Sequence, residues 1–263
     1  MTTAALGDSA TADQPVLLCI TLSPAIDRTA HVERITHGDV LRPLELVALP
    51  GGKGVNAARV AAALGGRVMT TGIAGGHAGR WIVDQLAAEG LDPRFAHAAA
   101  ESRTTYVTVD RAGESVIVYE RPGPATDAEF DDFLWKLEDE LLPRSGRAIV
   151  AGTVPGSIDV SGYAAIVTVC RRASCPLLVD TSGPSLLATL EAGPDIVKIG
   201  RIEAVEAGIV GADADALEAA AALADRGARL GIVTDGAREV AAADATSTWP
   251  VSDTHLRAHE TTD

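Results

Sequence analysis

The stretch PGGKGVNAAR at residues 50–59 decides the fold of this chain. Gly51, Gly52 and Gly54 fall within four residues, and glycine backbone can approach a ligand closely. They lead directly into a pattern that predicts a helix over residues 55–64. Unpaired N–H groups and the positive dipole end at the start of a helix favour an anion or a ring of hydroxyl groups. The spacing is neither that of a P-loop nor that of the dinucleotide-binding fingerprint.

Length, composition and charge restrict the class of protein. The chain has 263 residues, 47% of them hydrophobic and only 3% aromatic, so Ala, Val and Leu must fill most of one core. The formal net charge of −14 opposes non-specific binding to nucleic acid and favours a soluble surface. No apolar run approaches the length that spans a membrane. We therefore expect a cytoplasmic protein with no nucleic-acid partner and no membrane association.

The N-terminus and the cysteines carry no functional signal. Residues 1–14 are small and polar, without the apolar segment of a signal peptide, and are predicted to be a disordered tail. Cys19, Cys170 and Cys175 have neither the spacing of a metal site nor that of a redox pair. We interpret them as small buried hydrophobic residues in a reducing compartment.

Strand-like and helix-like segments alternate along most of the chain. A strand pattern over residues 16–22 is followed by alternating helices and strands from 55 to 234. This alternation predicts an α/β fold with a mostly parallel central sheet and helices on both faces. Two hairpin-like insertions, at about 29–49 and 95–121, predict a small β lid beside the sheet. Residues 127–142 are predicted to form one amphipathic helix with acidic residues in its first turn.

The stretches SPAID (residues 23–27) and PGGKGVNAAR, taken together, resemble the ribokinase-like (PfkB) sugar kinases. They look most like the branch that contains 1-phosphofructokinase, with tagatose-6-phosphate kinase next to it. Each motif is weak alone, but the ordered set is specific, and the resemblance covers about residues 16–250. Five further stretches follow in the order of that family: SRT (102–104), AGTVP (151–155), VDTSG (179–183), KIGRIE (198–203) and VTDG (233–236).

The resemblance implies a ribokinase-like domain over residues 15–250, with the lid closing over a sugar. At Asp27 a carboxylate can accept the protons of two sugar hydroxyl groups, and in this family that position grips the sugar. An aspartate after a proline turn also commonly caps the turn. The Gly-Gly-Lys-Gly-x-Asn segment that follows favours substrate binding over capping.

The remaining predicted substrate-binding residues suit a phosphorylated sugar. Gly51, Gly52 and Asn56 would offer N–H groups and a side-chain amide to sugar oxygens. Lys53 adds a positive charge, and charge-assisted contacts to phosphate are the stronger ones. Arg103 begins a lid hairpin, where its planar fork can clamp phosphate. From the sequence alone, an exposed lid arginine is an equally good interpretation of Arg103.

A second group of residues is predicted to bind the nucleotide, ATP with Mg²⁺. Lys198 and Glu203 keep two positions of the family pattern Lys-Pro-Asn-x-x-Glu, which helps to hold nucleotide phosphates and the magnesium shell. Glu203 is also the predicted metal residue, because a carboxylate can order magnesium-bound water. Gly200 stands where the family has Asn, which predicts weaker positioning of the phosphates.

The last strand of the alternating pattern ends at the segment 234–236. Thr234 and Gly236 of this segment are predicted to lie near the nucleotide phosphates, at the carboxyl edge of the sheet. Asp235 lies between them at a position that is usually apolar in the family. An acid there is unfavourable for ATP binding unless it faces away or meets magnesium. Asp180 and Ser182 are predicted to line the same edge.

The resemblance also leads us to assign no catalytic base in this sequence. In the family a Gly-Ala-Gly-Asp motif follows the last of these stretches and supplies the catalytic base. This sequence has no such motif after Gly236, so we interpret it as a kinase truncated before its catalytic aspartate and name no catalytic residue. The segment at 251–263 resembles one reading frame of a transposon-end sequencing adapter, and we predict that it is not native.

The expected function is ATP-dependent phosphorylation of a sugar phosphate, with fructose 1-phosphate giving fructose 1,6-bisphosphate. One alternative is a non-catalytic paralogue that binds sugar phosphate. Another is a kinase of the tagatose-6-phosphate or 6-phosphofructokinase type. A nucleoside or unphosphorylated-sugar kinase of the same fold is disfavoured by Lys53 and Arg103. The lid has exposed strand edges that could pair between two copies, so a homodimer through the lid is left open.

Overall fold

The computed structural model describes residues 15–251, which contain fourteen strands and seven α-helices. The predicted tails at 1–14 and 251–263 lie outside the described residues, apart from Val251, which ends the last strand. Ten strands form one large sheet. In spatial order they are β14 (Thr248–Val251), β13 (Glu239–Ala243), β12 (Leu230–Asp235), β11 (Ile196–Gly200), β10 (Leu177–Asp180), β9 (Ser145–Ala151), β1 (Val16–Thr21), β4 (Val68–Gly75) and β5 (Asp92–Pro93), with β6 (Ala96–Ala98) also paired to β4.

The large sheet is parallel from β12 to β5, as the alternation predicts. The two strands at this end of the sheet, β13 and β14, pair in antiparallel fashion instead. A tight turn joins β12 to β13, and Gly236 lies in it with a φ of 55°. Because this connection is too short to contain a crossover helix, the chain can only reverse direction.

Helices cover both faces of the sheet around β1. Successive strand side chains point to opposite faces. Cys19 accordingly packs in the same cluster as Val55 and Ile82, whereas Ile20 packs in the same cluster as Phe133. The helices are α1 (Lys53–Ala63), α2 (Gly76–Ala88), α3 (Asp127–Lys136), α4 (Gly162–Arg172), α5 (Gly183–Glu191), α6 (Arg201–Glu206) and α7 (Ala216–Asp225).

The single helix predicted over residues 127–142 is wrong in its second half. α3 begins with a capping box between Thr126 and Glu129, but its regular geometry ends at Lys136. A wider π-helical segment, Leu137–Leu141, and a 3-10 turn, Leu142–Arg144, follow. The 3-10 turn contains a proline, which lacks the N–H group that a continuing α-helix needs.

The lid is a separate four-stranded sheet in the order β3 (Glu45–Gly51), β2 (Ala25–Val32), β7 (Arg103–Asp110) and β8 (Ser115–Tyr119). Strand β2 is antiparallel to β3 and parallel to β7. The structure therefore differs from the lid predicted at about 29–49 and 95–121. The lid starts at Ala25, because only residues 22–24 separate β1 from β2, and Ala96–Ala98 belongs to the large sheet.

All three cysteines are buried and unpaired, in agreement with the prediction that they are core residues. Burial raises the pKa of the Cys19 thiol to about 12. No helix within residues 15–251 combines the length and the apolar character that crossing a membrane requires.

Candidate active site

A cavity of about 450 Å³ lies between the lid and the carboxyl edge of the large sheet. Five residues predicted to bind substrate contribute to its wall: Asp27, Gly52, Lys53, Asn56 and Arg103. The sheet edge contributes β1, β9 and β10 or the loops that follow them, which is where ligands bind in open α/β sheets. Three other polar residues of the wall, Ser23, Thr153 and Thr181, lie in the quoted motifs but were given no role from the sequence. Thr21, Thr105 and Tyr119 also line the wall and were not identified from the sequence as site residues.

Two glycines shape the lid side of the cavity. A Cβ atom on Gly51 would collide with the carboxylate of Asp27, so Gly51 makes the space that Asp27 occupies. Gly52 precedes α1 with a φ of 114°, a backbone conformation that favours glycine. Gly52 therefore turns the chain from β3 into α1 and sets the first residue of that helix, Lys53, against the cavity.

Asp27 lies in the middle of the lid and is half-buried. Its cross-strand neighbour on β7 is Thr105, whose hydroxyl group bonds to the carboxylate. Burial raises the pKa of Asp27 above its ordinary value, although Thr105 and the nearby arginines lower it in part. A partly desolvated carboxylate with few protein donors is suited to accept hydrogen bonds from the hydroxyl groups of a ligand.

Arg103 begins β7, and its Nε atom is buried without a hydrogen-bond partner among residues 15–251. Burial lowers the pKa of Arg103, and the negative charge of Asp27 partly opposes this shift. A buried charged donor without an acceptor is costly, so such groups usually meet a ligand or water. This geometry favours the phosphate-clamp interpretation of Arg103 over that of an exposed lid arginine.

Asn56 is fixed by a residue that sequence reasoning missed. Arg59 donates to the Asn56 side-chain oxygen at 3.3 Å and to the carbonyl oxygen of Pro50 at 2.6 Å. The guanidinium group is itself held by Glu89, at 2.7 and 2.9 Å. With its oxygen engaged, Asn56 has its NH₂ group available as a donor to the cavity. The spacing of Asn56 and Arg59, three residues apart on one helix, is the signal that could have identified this pair.

A charge cluster joins the residues predicted for the sugar to those predicted for the nucleotide. Lys53 Nζ lies 2.9 Å from Asp180 Oδ1 and 3.8 Å from Glu203 Oε1. Lys198 Nζ lies 3.3 Å from the other oxygen of Asp180. Burial lowers the pKa of Lys53, but the hydrogen bond and charge of Asp180, with the charge of Glu203, raise it to a net value above the ordinary one. Asp180, which the sequence placed at this edge, is the residue that connects the two groups.

Gly200 precedes α6, and its N–H group donates to Glu203 Oε2 at 2.7 Å. Its φ of −80° is open to any residue, and a Cβ atom would come within 3.3 Å of that carboxylate oxygen. The backbone therefore positions Glu203 without the asparagine that the family carries. The side-chain amide of that asparagine has no replacement at position 200.

Thr234 and Gly236 lie at the carboxyl end of β12, beside the end of β11, because Thr234 pairs in register with Gly200. Asp235 forms ion pairs with Arg201 and with Arg238, each at 3.4 Å. These two cations compensate the acidic charge of Asp235, which is otherwise unfavourable near nucleotide phosphates. Of the four residues predicted for the nucleotide, Lys198 and Thr234 thus lie on the adjacent strands β11 and β12, Glu203 in the first turn of α6 and Gly236 in the turn after β12. All four lie outside the wall of the 450 Å³ cavity.

No group of three or more His, Cys, Asp or Glu side chains within the described part of the chain could hold a metal ion. The carboxylates of Asp180 and Glu203, which share a contact with one lysine ammonium group, are nevertheless a donor set that suits Mg²⁺. Magnesium is typically bound by one or two carboxylates together with substrate phosphates and several waters. The residues present therefore fit this ion.

The comparisons with known proteins agree with this architecture. Phosphofructokinase-2 from Escherichia coli in its tetrameric inhibited form is 25% identical, with a TM-score of 0.80 over 91% of this chain and 79% of that one. The same enzyme in complex with potassium is 26% identical, with a TM-score of 0.79 over 91% and 78% of the two chains. A possible 1-phosphofructokinase from Thermotoga maritima, 20% identical, shares the fold with a TM-score of 0.78 over 90% and 77%.

These similarities confirm the predicted ribokinase-like fold. The family model described as pfkB family carbohydrate kinase matches residues 17–262, which is most of the chain. Carbohydrate kinases of this family use ATP, normally with Mg²⁺. The chain therefore belongs to the pfkB family of carbohydrate kinases and is a sugar kinase.

Proposed function

We propose that this sugar kinase transfers the γ-phosphoryl group of ATP to a hydroxyl group of a sugar that already carries phosphate, with fructose 1-phosphate giving fructose 1,6-bisphosphate and ADP. One observation carries the proposal. The same cavity is lined by groups suited to sugar hydroxyls, Asp27 and Asn56, and by two cations suited to phosphate, Lys53 and Arg103. An unphosphorylated sugar would offer the buried Arg103 donor only neutral oxygen acceptors, whereas a phosphate offers charged ones, which form the stronger hydrogen bonds.

The cavity residues that were predicted to bind substrate each have a defined part in this proposal. Asp27 accepts hydrogen bonds from two hydroxyl groups and so orients the sugar. The NH₂ group of Asn56 and the N–H groups at the start of α1 donate to sugar oxygens. Arg103 and Lys53 bind the phosphate that the sugar brings. Orientation of this kind reduces the entropy cost of bringing the sugar hydroxyl to the phosphoryl donor.

The adjacent strand ends would hold the nucleotide. In this proposal Lys198, Thr234 and Gly236 would contact its phosphates, and Glu203 and Asp180 would hold Mg²⁺ through its water shell. When bound, Mg²⁺ neutralises the charge that develops on the transferring phosphoryl group. We assign no residue of the chain the role of catalytic base.

The test is a phosphorylation assay of the purified chain with Mg²⁺-ATP and four sugars: fructose 1-phosphate, fructose 6-phosphate, tagatose 6-phosphate and fructose. We expect fructose 1-phosphate to bind most tightly in calorimetry and to give the highest kcat/KM. Binding of fructose 1-phosphate without turnover would support the proposed substrate, and it would fit both the sugar-phosphate-binding role and a chain with no assigned catalytic base. Preference for fructose over all three sugar phosphates would contradict the proposal, because Lys53 and Arg103 would then have no ligand charge to meet.

We also infer that two copies of the chain associate through their lids. The lid exposes apolar side chains on β3 and β8, including Leu46, Ile117 and Val118, each at least half exposed. Both β3 and β8 are edge strands of the lid sheet, and exposed apolar edges tend to pair. Light scattering after size exclusion should give twice the chain mass, and the double variant Ile117→Glu and Val118→Glu should give a monomer. A monomeric native chain at micromolar concentration would overturn this inference.

A further inference from the structure

In each of the carboxylates of Asp180 and Glu203, one oxygen contacts a group other than Lys53. Asp180 Oδ2 pairs with Lys198 at 3.3 Å, and Glu203 Oε2 accepts the N–H group of Gly200 at 2.7 Å. The two remaining oxygens, Asp180 Oδ1 and Glu203 Oε1, both contact Lys53 Nζ. The Lys53 ammonium group thus sits where a cation shared by the two carboxylates would sit.

Lys53 is also the residue of this cluster whose side chain can most easily move away from its partners. Its side chain is 54% exposed, whereas that of Asp180 is 15% exposed and that of Glu203 is 30% exposed. Ion pairs of half-exposed side chains are weak and are exchanged readily for a stronger partner. Because Lys53 is the first residue of α1 and lines the 450 Å³ cavity, a phosphate in that cavity lies within the range of its flexible stem.

We propose that Lys53 acts as an internal substitute for the divalent cation, and that sugar phosphate draws it away from Asp180 and Glu203. Binding in the sugar cavity would then free two carboxylate oxygens on the nucleotide side and increase their affinity for Mg²⁺. This coupling rests on the proposed function, since it names the phosphate of the sugar as the competing anion. By thermodynamic linkage the divalent cation must increase the affinity for sugar phosphate by the same factor.

Lys53 in this proposal is a positioning residue, and its effect can be measured without turnover. Mn²⁺ is the probe, because its free and bound forms are distinguished by electron paramagnetic resonance. Lys53→Met keeps the aliphatic stem but removes the competing charge, and we expect it to bind Mn²⁺ about fivefold or more tightly than the native chain. Lys53→Arg keeps the charge and should restore the native affinity.

Lys136→Met is the matched control. It makes the same chemical change and the same change in net charge, but Lys136 donates to the carbonyl oxygen of Phe95, outside the charge cluster. Its Mn²⁺ affinity should equal that of the native chain. Equal Mn²⁺ affinities for Lys53→Met and Lys136→Met would overturn the proposal, and so would the absence of measurable Mn²⁺ binding in every variant.

The second part of the experiment adds saturating fructose 1-phosphate. We expect it to tighten Mn²⁺ binding severalfold in the native chain and to leave Lys53→Met unchanged. If calorimetry shows that fructose 1-phosphate binds while native Mn²⁺ affinity stays constant, the coupling is overturned and the proposed substrate stands. If fructose 1-phosphate does not bind but Lys53→Met still binds Mn²⁺ more tightly, the substitute role of Lys53 stands and the proposed substrate fails.

Discussion

At the scale of single residues, Asp27 should make sugar binding depend on pH. The ionised carboxylate accepts hydrogen bonds from two hydroxyl groups, and protonation removes one acceptor site. Because burial raises the pKa of Asp27, affinity should begin to fall at a higher pH than for an ordinary aspartate. Calorimetry with fructose 1-phosphate between pH 8 and 5 should show this loss as the pH decreases.

The variant Asp27→Asn separates this effect from titration of the sugar phosphate, whose second pKa is about 6. We expect it to lose about 10- to 100-fold in affinity at pH 8, the usual cost of a charged hydrogen bond, and to retain only the pH dependence of the ligand. Asp92→Asn, which changes a surface pair with Arg94, should behave like the native chain. Equal pH profiles for Asp27→Asn and the native chain would rule out Asp27 as the titrating group.

Arg103 should distinguish phosphorylated from unphosphorylated sugars. Arg103→Met removes the buried Nε donor and the charge while keeping most of the side-chain volume. We expect its affinity for fructose 1-phosphate to fall at least about tenfold and its weaker affinity for fructose to change little, because only phosphate needs the guanidinium group. An equal loss for both ligands, measured by calorimetry, would assign Arg103 to the structure of the lid instead.

At the scale of elements, the turn from β3 into α1 should tolerate no side chain at its first glycine. Gly51→Ala places a methyl group in the space of the Asp27 carboxylate, so the lid must shift or Asp27 must turn away. We expect a loss of at least about tenfold in affinity for fructose 1-phosphate with the circular dichroism spectrum retained. Gly156→Ala is the control, since a Cβ atom there meets nothing within 4 Å. Native affinity in Gly51→Ala would contradict the packing of Gly51 against Asp27.

The sequence could predict those elements and cavity residues whose signal lies within a few neighbouring positions of the chain. The apolar run of β1 and the glycines before α1 carry their signal within a few residues, and these elements were predicted. The end of α3 was missed because the helical pattern of residues 127–142 does not distinguish a π-helical segment from a continuing α-helix. Thr105 and Tyr119 were missed because they reach the cavity only through cross-strand pairing with Asp27 and with each other.

At the scale of the whole molecule, the two faces of the sheet differ beyond β10. Val233 on β12 is fully buried in the cluster that includes residues of α5 and α7, whereas Val240 on the neighbouring β13 is 36% exposed. These two valines lie on opposite faces, because Thr234, the residue after Val233, is the register partner of Val240. The same substitution made separately at each position therefore compares its cost in stability on the covered face with its cost on the more open face.

Val233→Thr should destabilise the chain by about 2 kcal/mol, since it buries a hydroxyl group among apolar side chains. Val240→Thr makes the same change where the hydroxyl group can reach water, so its cost should stay below about 0.5 kcal/mol. Urea unfolding followed by circular dichroism measures both free energies of unfolding. Equal costs would mean that the face carrying Val240 is covered in solution, by another part of the chain or by a second copy. Light scattering of the Val240→Thr variant would then distinguish these two ways of covering the face. A lower mass than that of the native protein would identify a second copy, because losing a contact within one chain leaves the mass unchanged.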